Sequence, residues 1–259
     1  MKKFIFTLTF ILFTITLFGK TQVIAHRGYW QQEGSAKNSI SSLKNAQDIG
    51  VYGSELDVQI TSDGIPVVNH DDSIQGLDIS NTSFRELKQV KLENGETIPT
   101  LKAYLIQGKK NTDTKLIIEI KNKKEPELEK RTVQSVVDLV SKFNMEKNVE
   151  YISFSMNICK ELKLASPNTP IAYLAYKEYV LSPEELKEIG LSGLDYHYSI
   201  ILQHPEFIEK AKSLGLSVNV WTVNDSQTIQ EMIDMNVDYI TTDEPKKTME
   251  YLKPHLQVR

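Results

Sequence analysis

Eight β-prone stretches alternate with helix-prone stretches along this chain, and that alternation limits its fold more than any other feature. The strands open at Gln22, Tyr52, Lys115, Glu150, Pro170, Leu194, Ser217 and Tyr239. Parallel neighbours need a long crossover between them, usually a helix. The gaps supply such helices. Over 38–49 the apolar residues Ile40, Leu43, Ala46 and Ile49 recur at helical spacing, with Asn38 or Ser39 as cap and Gly50 as stop. Over 124–143 a long amphipathic helix crowds Val133, Val136, Val137, Leu139 and Val140 onto one side. Further helices are expected over 157–165, 183–189, 205–214 and 226–235, with a terminal piece after Pro245. Residues 72–114 read as loop-rich, with helical pieces near 83–90 and 101–107. Eight βα units in about 250 residues match the size of a (β/α)8 barrel. With no internal repeat, linker or low-complexity stretch, residues 21–259 form one expected domain.

The first 20 residues stand apart. Lys2 and Lys3 precede an apolar run, Phe4 to Phe18, broken only by threonines, and Gly19-Lys20-Thr21 follows. This pattern predicts a secretory signal peptide and a secreted or periplasmic protein. The run is short for a bilayer span of about 20 residues, so no stable membrane insertion is expected after cleavage. No cysteine lies near its end, which argues against a lipoprotein anchor. Cys159 is the single cysteine, so no intrachain disulfide forms. Residues 1–20 carry three of the 30 Lys and Arg and none of the 34 acids, which leaves the rest near −7. An acidic body argues against nucleic acid and against an electrostatic grip on anionic lipid. Oligomeric state is left open by the sequence.

The stretch from Tyr52 to Asp71, YGSELDVQITSDGIPVVNHD, carries the densest chemistry. Alternation along a strand places Glu55, Asp57 and Gln59 on one face and Leu56, Val58 and Ile60 on the other. Ser62-Asp63-Gly64 supplies a turn, and a second short strand over 65–69 leads to His70 and Asp71. One hairpin thus presents two carboxylates and an imidazole. Carboxylates at strand spacing suit a hard divalent cation; the competing reading is a solvated edge strand with its acids in water.

Other polar residues fall at strand ends. His26-Arg27-Gly28 follows the first strand and suits an anion. Glu119 and Lys121 end the third, Trp221 ends the seventh, and Asp243 follows the eighth. Barrel active sites form at the C-terminal ends of the strands, so the fold brings these residues to one mouth. His197 ends a strand and is read as a wall residue. Tyr196 and Tyr198 are read as packing, and His204 and His255 have no role. Cys159 is read as a small buried hydrophobe.

The chain resembles the glycerophosphodiester phosphodiesterase family. The stretches that carry the resemblance are Ala25-His26-Arg27-Gly28, Glu55-Leu56-Asp57-Val58, Val67-Val68-Asn69-His70-Asp71, Ile98-Pro99-Thr100-Leu101, Ile118-Glu119-Ile120-Lys121, Val220-Trp221-Thr222-Val223-Asn224 and Thr242-Asp243-Glu244-Pro245. The resemblance implies a TIM barrel with a small insertion after the second strand. It implies one divalent cation, Mg²⁺ or Ca²⁺, held by Glu55, Asp57 and Glu119. It makes His26 and His70 an acid and base pair, sets Arg27 and Lys121 against the phosphate, and packs Trp221 on the substrate. The implied reaction turns a small phosphodiester into glycerol 3-phosphate and an alcohol.

One departure stands out. Members of the family usually carry Glu-Asn-Thr after the first strand, where this chain has Lys37-Asn38-Ser39. The segment after His70 is also short and lacks the usual arginine-bearing pattern. Two other readings compete. A lipid-active phosphodiesterase on the same barrel, like sphingomyelinase D or phospholipase C, needs an apolar rim, and the sequence marks no aromatic-rich loop. A non-catalytic binding protein would be expected to have lost a histidine or a carboxylate, and this chain keeps them.

Overall fold

A computed structural model describes residues 21–253. The predicted signal peptide and His255 lie outside them. In chain order the elements are β1 (Gln22–Ala25), α1 (Ile40–Ile49), β2 (Gly53–Ile60), β3 (Pro66–Val68), β4 (Ser73–Ile74), β5 (Leu77–Asp78), α2 (Phe84–Leu87) and α3 (Leu101–Gly108). Then come β6 (Lys115–Ile120), α4 (Pro126–Lys142), β7 (Val149–Ser153), α5 (Met156–Ala165), β8 (Ile171–Ala175), α6 (Pro183–Ile189) and β9 (Gly193–His197). The chain ends through α7 (Tyr198–Gln203), α8 (Glu206–Ser213), β10 (Ser217–Trp221), α9 (Ser226–Asp234), β11 (Tyr239–Thr242) and α10 (Pro245–Tyr251).

Strands β1, β2, β6, β7, β8, β9, β10 and β11 pair in parallel in that order, and β1 pairs with both β11 and β2. The sheet therefore closes, and the expected (β/α)8 barrel is what forms. Closure leaves no free edge on the eight parallel strands. Their residues alternate between a lumen, where Ile24, Ile117, Ile152 and Leu174 pack, and a larger apolar layer under the helices.

Local chemistry sets the helix limits. Ser39 accepts from the Ser42 N–H, and Gly50 closes α1 at φ 70°. Ser182 and Glu185 form a capping box behind Pro183 at the start of α6. Each such cap is worth about 1 kcal/mol.

The segment between β2 and α3 is the insertion. Strand β3 pairs antiparallel with β2, Val58 opposite Val68, and β4 and β5 form a separate two-stranded ribbon. The sequence reads as loop there, because two-residue strands carry no alternation to detect. Helix α7 was also missed. Tyr198 opens that helix, with His197 as its cap.

Candidate active site

Strand β2 is buried along its whole length, which excludes the solvated-edge reading of its acids. Asp57 lies opposite Glu119 in the β2–β6 register, and Glu55 lies opposite Ile117. Period-two alternation points all three carboxylates into the lumen. One oxygen from each lies within 4.8 Å of the other two. Asp57 is only 1% exposed, and Glu55 Oε1 has no hydrogen-bond partner. Three buried carboxylates cannot all ionise cheaply without a cation. Burial, with Asp57 and Glu119 alongside, holds the Glu55 carboxyl well above its usual range. Burial and then Asp57 do the same for Glu119. Burial also pushes Asp57 up, but Lys121 and Arg27 outweigh it and hold that group down. An all-oxygen set of this spacing fits a hard divalent cation.

Two cationic side chains adjoin the triad. The Lys121 ammonium lies 2.7 Å from Glu119 and 3.3 Å from Asp57. Arg27 Nε lies 3.5 Å from Asp57 Oδ2. Arg27 has a left-handed backbone, φ 58°, a cost that non-glycine residues bear mainly at functional sites. Its N–H donates to Glu55 Oε2 at 2.8 Å, and its carbonyl accepts from the Ser42 hydroxyl at 3.0 Å. Gly28 follows at φ 78°, where a Cβ would meet Ser42 Oγ at 2.3 Å.

The two histidines flank this cluster, each beside an aspartate. His26 Nδ1 lies 2.9 Å from Asp243 Oδ1. A carboxylate only accepts, so Nδ1 carries the proton and Nε2 is left for chemistry. Trp30 and Asn224 donate to the same carboxylate at 3.2 and 2.8 Å. Burial alone would raise Asp243, but His26 and Asn224 prevail and hold it at about 2. His70 Nδ1 lies 2.7 Å from Asp71. Burial, with Lys121 nearby, lowers the His70 imidazole below its usual value, although Asp57 opposes this. Buried Gln59 donates to the carbonyls of Asn69 and Asp71, at 3.0 and 2.5 Å, and so holds the loop that carries His70.

A cavity of about 200 Å³ brings the set together. His26, Arg27, Glu55, His70, Glu119 and Lys121 line one side of it, and Ile152, Phe154, Leu174 and Trp221 form an apolar wall. The Phe154 and Trp221 rings meet edge to face at 5.6 Å. Asp57 sits behind Glu55 and Glu119, braced by Asn38, which donates to its carboxylate at 2.8 Å and accepts from its N–H at 3.2 Å. The residues given site roles by the resemblance, His26, Arg27, Glu55, Asp57, His70, Glu119, Lys121 and Trp221, therefore gather at this one cavity.

Four members of the site carried little sequence signal. Asp243 stood in a motif without a role, Asn38 was read as a helix cap, and Gln59 was noted only for its face. Asp195 was missed altogether. It lines the cavity from β9, and burial, partly offset by Asn219, pushes it up to about 7.

The remaining side chains take quieter places. Lys37 is exposed, its ammonium 4.5 Å above the Trp30 ring. It lines a cleft of about 310 Å³ that meets the smaller active-site cavity at Arg27 and His70. His197 packs among Tyr176, Tyr198 and Trp221 at ring distances of 4.6, 4.4 and 5.3 Å. His204 is half-exposed beside Glu206. Cys159 is buried, and burial pushes its thiol up to about 12. The loop after β8 corrects the view that no aromatic loop is exposed, since Tyr176 and Tyr179 are 43% and 81% exposed. Lys177 and Glu178 separate them, so the pair makes no continuous apolar rim.

The model of the glycerophosphoryl diester phosphodiesterase family matches residues 26–247. A glycerophosphodiester phosphodiesterase of Caldanaerobacter subterraneus is 30% identical over 243 residues, which is 88% of this chain and 96% of the relative. A crystal structure of a glycerophosphodiester phosphodiesterase from Parabacteroides distasonis is 47% identical, with a TM-score of 0.87, covering 90% of this chain and 97% of that one. An Oleispira antarctica phosphodiesterase, solved with the product sn-glycerol-3-phosphate, is 26% identical with a TM-score of 0.78, covering 89% of this chain and 96% of that one. With the barrel closed and the triad and histidines gathered at its mouth, the chain belongs to the glycerophosphoryl diester phosphodiesterase family and is a phosphoric diester hydrolase.

Proposed function

We propose that the protein hydrolyses glycerophosphodiesters to glycerol 3-phosphate and an alcohol, using one divalent cation. The observation that carries this reading is the convergence of three buried carboxylates, two histidines and two cationic side chains on one cavity. The product bound to the Oleispira relative supports the substrate class. The test is release of glycerol 3-phosphate from several deacylated phospholipids, with and without EDTA. No release from any of them with cation present would reject the reading.

Glu55, Asp57 and Glu119 would hold the ion, which would supply Lewis-acid polarisation of a phosphoryl oxygen. Arg27 and Lys121 offset the charge of the phosphodiester. His26 acts as base: Asp243 fixes its tautomer and stabilises the imidazolium formed when Nε2 takes a proton. His70, held with its Nδ1 2.7 Å from Asp71, acts as acid toward the leaving alkoxide. Trp221 and Phe154 pack on the carbon skeleton of the substrate.

The ion is Mg²⁺ or Ca²⁺, since both take carboxylate oxygens. The basic and apolar character of residues 1–20 supports export to the periplasm or beyond. Among the described residues no helix is long and apolar enough to cross a membrane. A fractionation that recovers the intact N-terminus in membranes would reject the export reading.

A further inference from the structure

Asp195 is a carboxylic acid that the chemistry above does not use. It is 1% exposed, it lines the active-site cavity, and its Oδ1 has no hydrogen-bond partner. Asn219 adjoins the carboxyl and holds it down in part, but it is bonded to Thr241 at 2.9 and 3.2 Å and leaves Oδ1 unmet. Native proteins rarely leave a buried polar atom without a partner unless something else meets it there.

The surroundings indicate what that partner is. The Asp195 carbonyl accepts from the Trp221 indole N–H at 2.9 Å, so the acid and the ring are held as one unit. Ile152, Leu174, Phe154 and Trp221 offer apolar surface beside it. Asp195 lies two residues before His197, the last residue of β9, and so sits below the mouth rather than on its rim. An apolar slot with one buried polar atom suits a short carbon chain that ends in a hydroxyl.

We propose that Asp195 recognises the free terminal hydroxyl of the substrate's glycerol arm and so restricts the enzyme to fully deacylated diesters. The inference rests on the phosphodiesterase reading and adds a specificity residue to it. The hydroxyl would satisfy the orphan oxygen, and the slot walls would cover the carbons. An acyl ester at that hydroxyl would remove the donor and drive a long chain against a closed end. A site built to bond a hydroxyl discriminates against the analogue that lacks it, because its own polar group is then stranded.

The test compares glycerophosphocholine with its analogue built on 1,2-propanediol, which lacks only the terminal hydroxyl, and with 1-acyl glycerophosphocholine. Wild-type enzyme should lose about 10- to 100-fold in kcat/KM on the propanediol analogue and leave the acylated substrate uncleaved. Asp195→Leu should fall by a similar factor on glycerophosphocholine and treat both short substrates alike. Asp195→Asn, which keeps volume and hydrogen bonding, should retain most of the discrimination. Thermal melts establish that each variant folds, and Asp195→Ala replaces the leucine variant if that one does not. Equal rates for wild type on the two short substrates overturn the inference while leaving the phosphodiesterase reading intact. So does undiminished discrimination by a folded leucine or alanine variant, or ready cleavage of the acylated substrate. Failure of wild type on glycerophosphocholine and every other deacylated diester rejects the phosphodiesterase reading, and this inference with it.

Discussion

His26 and Asp243 lie 217 residues apart in sequence and 2.9 Å apart in space. They meet because β1 and β11 are neighbours where the barrel closes, Ala25 opposite Thr242. Both residues leave their strands at the same level, so the last strand supplies the group that orients the first histidine. Asp243→Asn should therefore lower kcat by about 10²–10⁴ while leaving the folded structure and cation affinity in place. Steady-state kinetics beside a cation titration checks this. Unchanged kcat would remove Asp243 from the mechanism.

His26→Ala and His70→Ala should each lower kcat by about 10²–10⁴. The double variant should fall little below the worse single one, because groups that act in one proton relay are not additive. A nitrophenyl ester, whose leaving group needs no protonation, should rescue His70→Ala and not His26→Ala. Rescue of the opposite variant would exchange the two roles.

The triad makes stability depend on pH and on the cation together. Burial raises the folded values of Glu55 and Glu119 above their ordinary 4.5, Glu119 to about 7. The folded state then binds more protons than the unfolded chain between about pH 4.5 and 7, so stability falls as pH rises through that window. In EDTA the denaturant midpoint should decline from pH 5 to pH 8. Added Mg²⁺ or Ca²⁺ should abolish the decline, since an ion that binds the ionised triad stabilises the folded state at the higher pH. A midpoint independent of both pH and cation would contradict the shared site.

Lys37 is exposed above the Trp30 ring, on the cleft that meets the active-site cavity at Arg27 and His70. Its charge should disfavour a cationic leaving group. Lys37→Glu should raise the kcat/KM ratio of glycerophosphocholine to glycerophosphoglycerol by about tenfold at low salt, and by less at high salt. An unchanged ratio would place Lys37 outside headgroup selection.

The order of strands and helices, the caps of α1 and α6 and the carboxylate face of β2 were legible in the sequence. Each is local: periodicity, a capping side chain or a turn residue declares itself within about ten positions. The acidic triad and the two histidines were legible only through the family resemblance, because the motifs that carry them are scattered from His26 to Glu119. What only the tertiary structure decided is which distant groups meet. Closure of the barrel pairs His26 with Asp243, packing of the segment after β1 sets Asn38 on Asp57, and the β3 hairpin brings Gln59 beneath the His70 loop. Asp195 belongs to this class. In sequence it is one polar residue in a buried strand, and burial inside a closed lumen, a property of all eight strands together, turns it into an orphan acid facing the substrate cavity.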